Sequence, residues 1–502
     1  MGRENFPLIP FPTNDPKDPL RWPFGLKIAA IVVTSLANFV SNMGGAGISV
    51  AIPLLMAQFQ KSETDATQVL TLNFLFLSIG NIFWVPVAMK FGKRFSLLSS
   101  MAMQAGMLAW TAATPSFNGL LAARCLQGFA AAAGESIVPE IVADTTFVHQ
   151  RGAMMSIYVV LISGGSAVGP LIAGFMTSST AETWRSFSWL CCGVAIFNLV
   201  LILFLFPESN FDRPEFDLTV DQLRTLHHQH ASKEADQTSS EERLEDVPEA
   251  SSIPADYTIS TPSIIEIMQP ISYNVNVNFL KAFIEPVKLL VHPSVLWGIL
   301  SYAVTLSPQV ILIFNMSSFL MAPPYSFTTD EVGLMQIAAV IGFLIACFAG
   351  GKLSDVINAF IVRRSSGHNI WPEQRLIALV PGMLFGPAGC VLLAFACGKH
   401  LHWALIAVGF GLVSFGSVYT PNIAITYIVH RHQREAAECL VLINIFKNLV
   451  AFLFLYEAVT WANRNGFIQV YMIMFMLNVL ILIFALPLYY WDAKKRRMTE
   501  EV

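Results

Sequence analysis

Charge is scarce in this chain of 502 residues. Asp, Glu, Lys and Arg together make up 13% of it, where a soluble domain carries about a quarter, and apolar residues make up 54%. So little charge excludes a water-facing surface over most of the molecule. A net charge of −4 gives no footprint for nucleic acid. The seven cysteines, Cys125, Cys191, Cys192, Cys347, Cys390, Cys397 and Cys439, lie in apolar runs, with neither a disulfide framework nor zinc-ligand spacing. No Gly-rich Lys-Ser phosphate loop, nucleophile with its base, or paired carboxylates on a soluble segment is found. The sequence therefore points away from an enzyme, calls for no cofactor or metal, and leaves an ion or solute gradient as the driving force. The first 25 residues show no cleavable signal pattern, so the first apolar run is expected to direct its own insertion.

What is present is apolar length. Twelve runs, Leu26–Met56, 68–89, 95–114, 118–143, 153–177, 185–206, 294–321, 331–350, 376–397, 403–429, 437–461 and Phe467–Tyr490, are each long enough to cross a hydrocarbon core of about 30 Å at about 1.5 Å per residue. They predict an all-α membrane protein of 12 transmembrane helices in two six-helix bundles. The expected domains are an N-terminal tail (1–25), a first bundle (26–207), a linker (208–292), a second bundle (293–490) and a C-terminal tail (491–502). Basic residues cluster in the tails and alternate connections, among them Lys90, Lys93, Arg94, Arg151, Arg363, Arg364, Arg431 and Lys494 to Arg497, whereas only Lys61, Arg185, Lys399 and Arg464 fall on the other side. That asymmetry predicts cytoplasmic termini and a cytoplasmic linker. The phrase NDPKDPLRWP reads as a structureless tail ending in an interfacial Trp22.

Residues 229–262 of the linker, rich in Ser, Glu, Asp and Pro, are expected to be disordered, and NFLKAFIEPVKLLVHP is expected to form an amphipathic surface helix. His227, His228 and His230 have no fourth ligand and read as a solvated face. The two halves echo one another: VPVAMKFGKR (85–94) follows the second run and GKLSD (351–355) the eighth. Parallel halves describe a transporter with its site at their interface near mid-membrane.

These residues carry a resemblance. GKLSD with Arg363 and Arg364 behind it, Arg124-Cys-Leu-Gln-Gly128 in run four and Gly169-Pro-Leu-Ile-Ala-Gly174 in run five are similar to signatures of the major facilitator superfamily. VADTTFVHQRG (142–152), WPEQRL (371–376) and NIFKN (444–448) resemble its fungal drug:proton antiporter-like branch, which includes a yeast polyamine importer. The resemblance covers nearly the whole chain outside linker and tails. It implies the major facilitator fold, alternating access, and a cavity lined by run four. Met89 stands where the first loop signature carries Asp, so the charge latch implied for the first half lacks that acid, while Asp355 keeps it in the second.

Polar groups within apolar runs are costly and mark function. Arg124 and Glu135 are eleven residues apart, about 16 Å along one helix stripe, and are expected to face a common path. Asn444, Lys447 and Asn448 form one polar patch at i, i+3 and i+4, with Glu135 or Glu457 as partner for the lysine. Tyr302, Thr305 and Gln309 make a stripe in run seven; Tyr419 and Asn422 lie in run ten, and Asn38 and Asn42 one turn apart in run one, followed by Gly44, Gly45 and Gly47. Together they predict a mixed aromatic and amide cavity suited to organic molecules. Glu135 is the first candidate for proton coupling and Glu457 the second. Gly169, Pro170 and Gly174 are assigned to the sliding interface between halves. Asp144 with Arg151, and Asp355 with Arg363 or Arg364, are expected to close the inner side by ion pairs.

The expected function is proton-coupled efflux of a drug-like or secondary-metabolite compound, with uptake of an organic cation such as a polyamine as the alternative, and a non-transporting membrane receptor as a lesser one. The expected partners are a small organic substrate, protons and the lipid bilayer. The chain is read as a monomer in the plasma membrane, with the vacuolar membrane as the other location. Because the polar middle of the linker cannot form a core, deleting residues 232–260 should leave transport within about twofold, as measured in vesicles holding the inserted protein.

Overall fold

The computed structural model describes residues 17–177, 184–211, 286–350, 372–432 and 435–500, with isolated positions near the N-terminus and in the linker. The expectations for residues 229–262, for His227, His228 and His230, for Asp355, Arg363 and Arg364, and for the Arg151 side chain fall outside the described residues.

The first bundle comprises α1 (Phe24–Phe59), α2 (Glu63–Phe91), α3 (Lys93–Ala113), α4 (Phe117–Thr145), α5 (Val148–Met176) and α6 (Trp184–Leu205). The second comprises α7 (Pro293–Met321), α8 (Thr329–Phe348), α9 (Val380–Gly398), α10 (Trp403–Arg431), and a 48-residue helix, Ala436–Ile483, that Gly466 divides into α11 (436–465) and α12 (467–483). Nine of the described helices are both long and apolar enough to cross a membrane, with α11 and α12 counted together. The more polar α3 and α4 have 21 and 29 residues, enough to cross as well. Twelve crossings result, six before the linker and six after it.

Local chemistry sets the boundaries. Ser62 Oγ accepts from Asp65 N (3.1 Å) and Ser116 Oγ from Gly119 N (3.2 Å), capping α2 and α4; Thr328 and Glu331 form a reciprocal capping box at α8. Gly92, with φ +99°, turns the chain between α2 and α3 where a side chain would be strained. Gly466, with φ +78°, breaks the helix that would otherwise run through α11 into α12.

In the first bundle α1 packs on α5 and α2 on α4; in the second, α7 packs on the α11–α12 helix and α8 on α10. Small residues allow close approach. A Cβ on Gly128 would lie 2.2 Å from the Asn73 carbonyl, so α2 and α4 touch backbone to backbone.

The tail departs from the expectation. Pro19–Arg21 form a 3-10 turn capped by Asp18, whose Oδ1 accepts from Leu20 N (3.0 Å) and Oδ2 from Thr13 N (2.7 Å). Trp22, expected at the membrane interface, is buried in the first bundle's core. Lys27 holds the turn by donating to the Leu20 carbonyl (2.8 Å).

The apolar core is split on one side only. At the end that carries the N-terminus, the first bundle has a core of its own, including Trp22, Val33, Leu97 and Ile141. At the remote end, Ile48, Val50, Ile52, Leu55 and Leu70 of the first bundle join a single core with Ile311, Phe314, Leu320 and Val332 of the second. Ser317 Oγ donates to the Ser49 carbonyl there (3.0 Å), and a Cβ on Gly174 would lie 2.8 Å from Gly333 Cα. The halves are thus sealed together at the remote end. Of the three residues assigned to the interface between halves, Gly174 and the Pro170 carbonyl meet Gly333 of α8, whereas Gly169 packs on Met43 of α1 within its own half.

A larger side chain at Gly174 must pry α5 from α8. Gly174→Leu should favour opening at the remote end, read as faster labelling of a cysteine at Gln309 by a reagent confined to that side; unchanged labelling would show that the seal lies elsewhere.

Candidate functional site: a central cavity with a buried ion pair

A cavity lies between the two bundles, lined by α1, α2, α4 and α5 on one side and by α7, α8, α10 and α11 on the other. Asn38, Asn42, Glu135, Tyr302, Gln309, Asn422, Asn444, Lys447 and Asn448 all line it. Apolar wall between them comes from Leu70, Phe74, Leu77, Ile162, Leu306, Val310, Ile313, Phe314 and Phe343. Among the described lining residues only Glu135 and Lys447 carry charge.

These two are partners. Lys447 Nζ of α11 stands 2.5 Å from Glu135 Oε1 of α4, with the residues 3% and 7% exposed. Lys447 also donates to the Tyr302 hydroxyl (3.3 Å) and lies over that ring at 4.5 Å, a cation–π contact. Glu135 Oε2 accepts from Asn448 Nδ2 (2.7 Å) and Asn81 Nδ2 (3.2 Å), and the Glu135 carbonyl accepts from Asn444 Nδ2 (3.2 Å) and the Tyr158 hydroxyl (3.3 Å). A buried ion pair is tolerated when its remaining lone pairs are satisfied, and here they are, by groups from both halves. The i, i+3, i+4 spacing of Asn444, Lys447 and Asn448 puts all three on one face of α11.

Arg124, Tyr419, Glu457 and Thr305 stand outside the cavity. Arg124 shares the Glu135 stripe, but its guanidinium turns to α1: Nη1 donates to the Gly44 carbonyl (2.8 Å) and Gln127 Oε1 (2.6 Å), and Nη2 to the Gly45 carbonyl (2.6 Å). It is 1% exposed. These contacts satisfy carbonyls that α1 leaves unpaired as its helix gives way to the 3-10 turn Ile48–Ala51. Tyr419 faces α9, stacking on Phe415 and donating to the Ala378 carbonyl (2.7 Å). Glu457 is exposed on α11; nine residues beyond Asn448, it has turned about 180° from the cavity face. The Thr305 hydroxyl is taken up by the Ser301 carbonyl (2.7 Å).

Sequence reasoning passed over Asn81, Asn73 and Tyr158. Asn81 holds Glu135 and also accepts from Ser136 Oγ; Asn73 Nδ2 donates to the Arg124 carbonyl (2.8 Å). The signal was present, since an Asn in an apolar run is as costly as the polar residues singled out elsewhere.

At the end that carries the N-terminus, a lysine reaches Asp144. Lys93 at the start of α3 reaches both Asp144 (2.6 Å) and Glu140 (3.2 Å) of α4. The first half thus has a charge cluster without an acid at Met89. Glu208, just past α6, caps α3 by accepting from Lys93 N (3.0 Å) and Arg94 N (3.1 Å).

A family model described as Major Facilitator Superfamily matches residues 34–455. Protein HOL1 of Saccharomyces cerevisiae is 23% identical over 547 aligned residues, covering 98% of this chain and 90% of that protein. A probable efflux pump, mfs2, of Aspergillus flavus is 24% identical over 435, covering 83% and 92%. A cycloheximide resistance protein of Candida maltosa is 22% identical over 410, covering 80% and 68%.

Removing Lys93 takes away the ammonium that Glu140 and Asp144 share. Lys93→Met should destabilise the first bundle by about 3 kcal/mol, seen as a lower unfolding midpoint in detergent. A midpoint equal to wild type would show that the cluster adds nothing to stability.

Proposed function

The chain belongs to the major facilitator superfamily, and on that premise we propose that its cavity serves proton-coupled export of a drug-like or secondary-metabolite compound. It is a multi-pass membrane transporter of small molecules. The observation that carries the finer reading is the Glu135–Lys447 pair, the only charge among the described lining residues, which spans the two halves at the level of the cavity. A carboxylate so placed binds a proton only by giving up its lysine, which loosens one half from the other. Proton binding and rearrangement are thereby linked.

The relatives named as an efflux pump and as a resistance protein support export. The aromatic, aliphatic and amide wall suits a compact organic molecule rather than a sugar or an inorganic ion. Uptake of an organic polycation is less well supported. Such a ligand needs several carboxylates, and the described lining offers one, already paired with an ammonium group. The distribution of Lys and Arg supports cytoplasmic termini and linker, with the cavity's sealed end outside; the proposal takes the chain as a monomer of the plasma membrane.

Glu135→Gln fixes the side chain in a neutral state. In reconstituted vesicles it should abolish the response of transport to an imposed pH gradient while a neutral compound still binds. Wild-type gradient dependence in this variant would remove Glu135 as the proton-binding group.

A further inference from the structure

The oxygens of Glu135 are used unequally. Oε2 takes both amide donors, Asn448 at 2.7 Å and Asn81 at 3.2 Å, and Oε1 faces Lys447. This division suits a neutral carboxylic acid as well as a carboxylate. With the proton on Oε1, Oε2 remains a carbonyl accepting two N–H groups, and the new O–H projects where Lys447 stood. Lys447 would then keep only the Tyr302 ring and hydroxyl oxygen among its described contacts. Tyr302 accepts from Lys447, so its own hydroxyl hydrogen is left over. Protonation of Glu135 therefore frees an ammonium beside a phenolic O–H that has no acceptor among the described residues.

Charge balance decides what can occupy them. A cation entering beside Lys447 and ionised Glu135 would leave one positive charge uncompensated in the cavity. A monoanion entering with a proton on Glu135 leaves none, since Lys447 takes the anion as its counter-ion in place of Glu135. Among the described residues, the other titratable groups facing Glu135 are Tyr302 of α7 and Tyr158 of α5, and neither brings charge.

We infer that Lys447 and Tyr302 form a carboxylate subsite, released when Glu135 is protonated, so that the transporter carries amphipathic organic monocarboxylates together with one proton. The inference rests on the reading of Glu135 as the proton-binding group and names the substrate class of that site. The apolar wall of Phe74, Leu306, Val310, Phe314 and Phe343 takes the hydrocarbon body. For such a substrate, anion and proton assist one another's binding rather than compete. Export then runs down the acid's own gradient out of the cell, with the proton as companion charge.

The probes are 2-naphthoate, its uncharged methyl ester and 2-naphthylmethylamine, with binding measured on the purified full-length protein. Between about pH 8 and about pH 5.5, where the naphthoate stays ionised, its affinity should rise by up to about tenfold per pH unit as one proton is taken up. The ester should show no such slope. Glu135→Gln should bind naphthoate with a flat pH profile, and Tyr302→Phe should bind it several-fold more weakly. Lys447→Met leaves Glu135 without its cation and can unfold, so the uncharged pair Glu135→Gln/Lys447→Met is measured beside it. That double variant should bind the ester and lose naphthoate by at least about tenfold. Naphthoate binding that survives in the double variant, or that weakens as pH falls in wild type, would overturn the subsite, as would tighter binding of the amine than of naphthoate. Failure of the function reading is separate: a neutral compound whose transport ignores the pH gradient in wild-type vesicles would remove proton-coupled export and leave the naphthoate result standing.

Discussion

One ion pair in a place hostile to ions organises this molecule. Burying either Glu135 or Lys447 alone would cost several kcal/mol, and each is present because the other half of the protein supplies its partner. Around that pair the remaining polar groups fall into order. Asn81, Asn444 and Asn448 satisfy the carboxylate and its backbone, Tyr302 shields the ammonium, and Tyr158 ties α5 to α4. The pair also divides the labour of the fold: the apolar cores hold each half together, and polarity at mid-membrane joins the halves reversibly. A wholly apolar contact there would be stronger and would offer no chemical means of release.

The remote end uses the opposite strategy. Backbone-level contact at Gly174 and Gly333 and an apolar core shared between halves seal it. Near the N-terminus the cohesion is internal to the first half, through Lys93 with Glu140 and Asp144, the Glu208 cap on α3, and the Asp18–Trp22 turn. Such ties stiffen the first half, and a body that is firm within is what rocking about a central site requires.

The crossings, the two-half plan and the polar face of α11 were legible in the sequence because membrane burial makes each polar residue conspicuous and helical spacing assigns its face. Lys447 and Glu135 were found in that way, and the structure places them in contact. Direction within a face was not legible. Arg124 and Glu135 share a stripe, yet a long guanidinium side chain reaches sideways to α1 carbonyls while the shorter carboxylate stays in the cavity. Tyr419 likewise turned toward the 3-10 segment Pro372–Leu379 that leads into α9, because its hydroxyl finds the Ala378 carbonyl there. Trp22 follows a Pro-rich segment that reads as loose chain; it is buried because Asp18 caps the turn before it and Lys27 holds that turn from α1. Spacing fixes the face of a helix, while the partner on the next helix decides where a long side chain ends.

Arg124 also bears on how the chain is made. Its partners, the carbonyls of Gly44 and Gly45 and the Val69 carbonyl, all precede it in sequence, and Gln127 lies within its own helix. During synthesis α4 therefore arrives at the membrane with every acceptor for its arginine already translated. Glu135, eleven residues later on the same helix, waits more than 300 residues for Lys447. The nascent first half thus carries a settled cation and an unsettled carboxylate on one helix, and its assembly is complete only when the eleventh crossing enters.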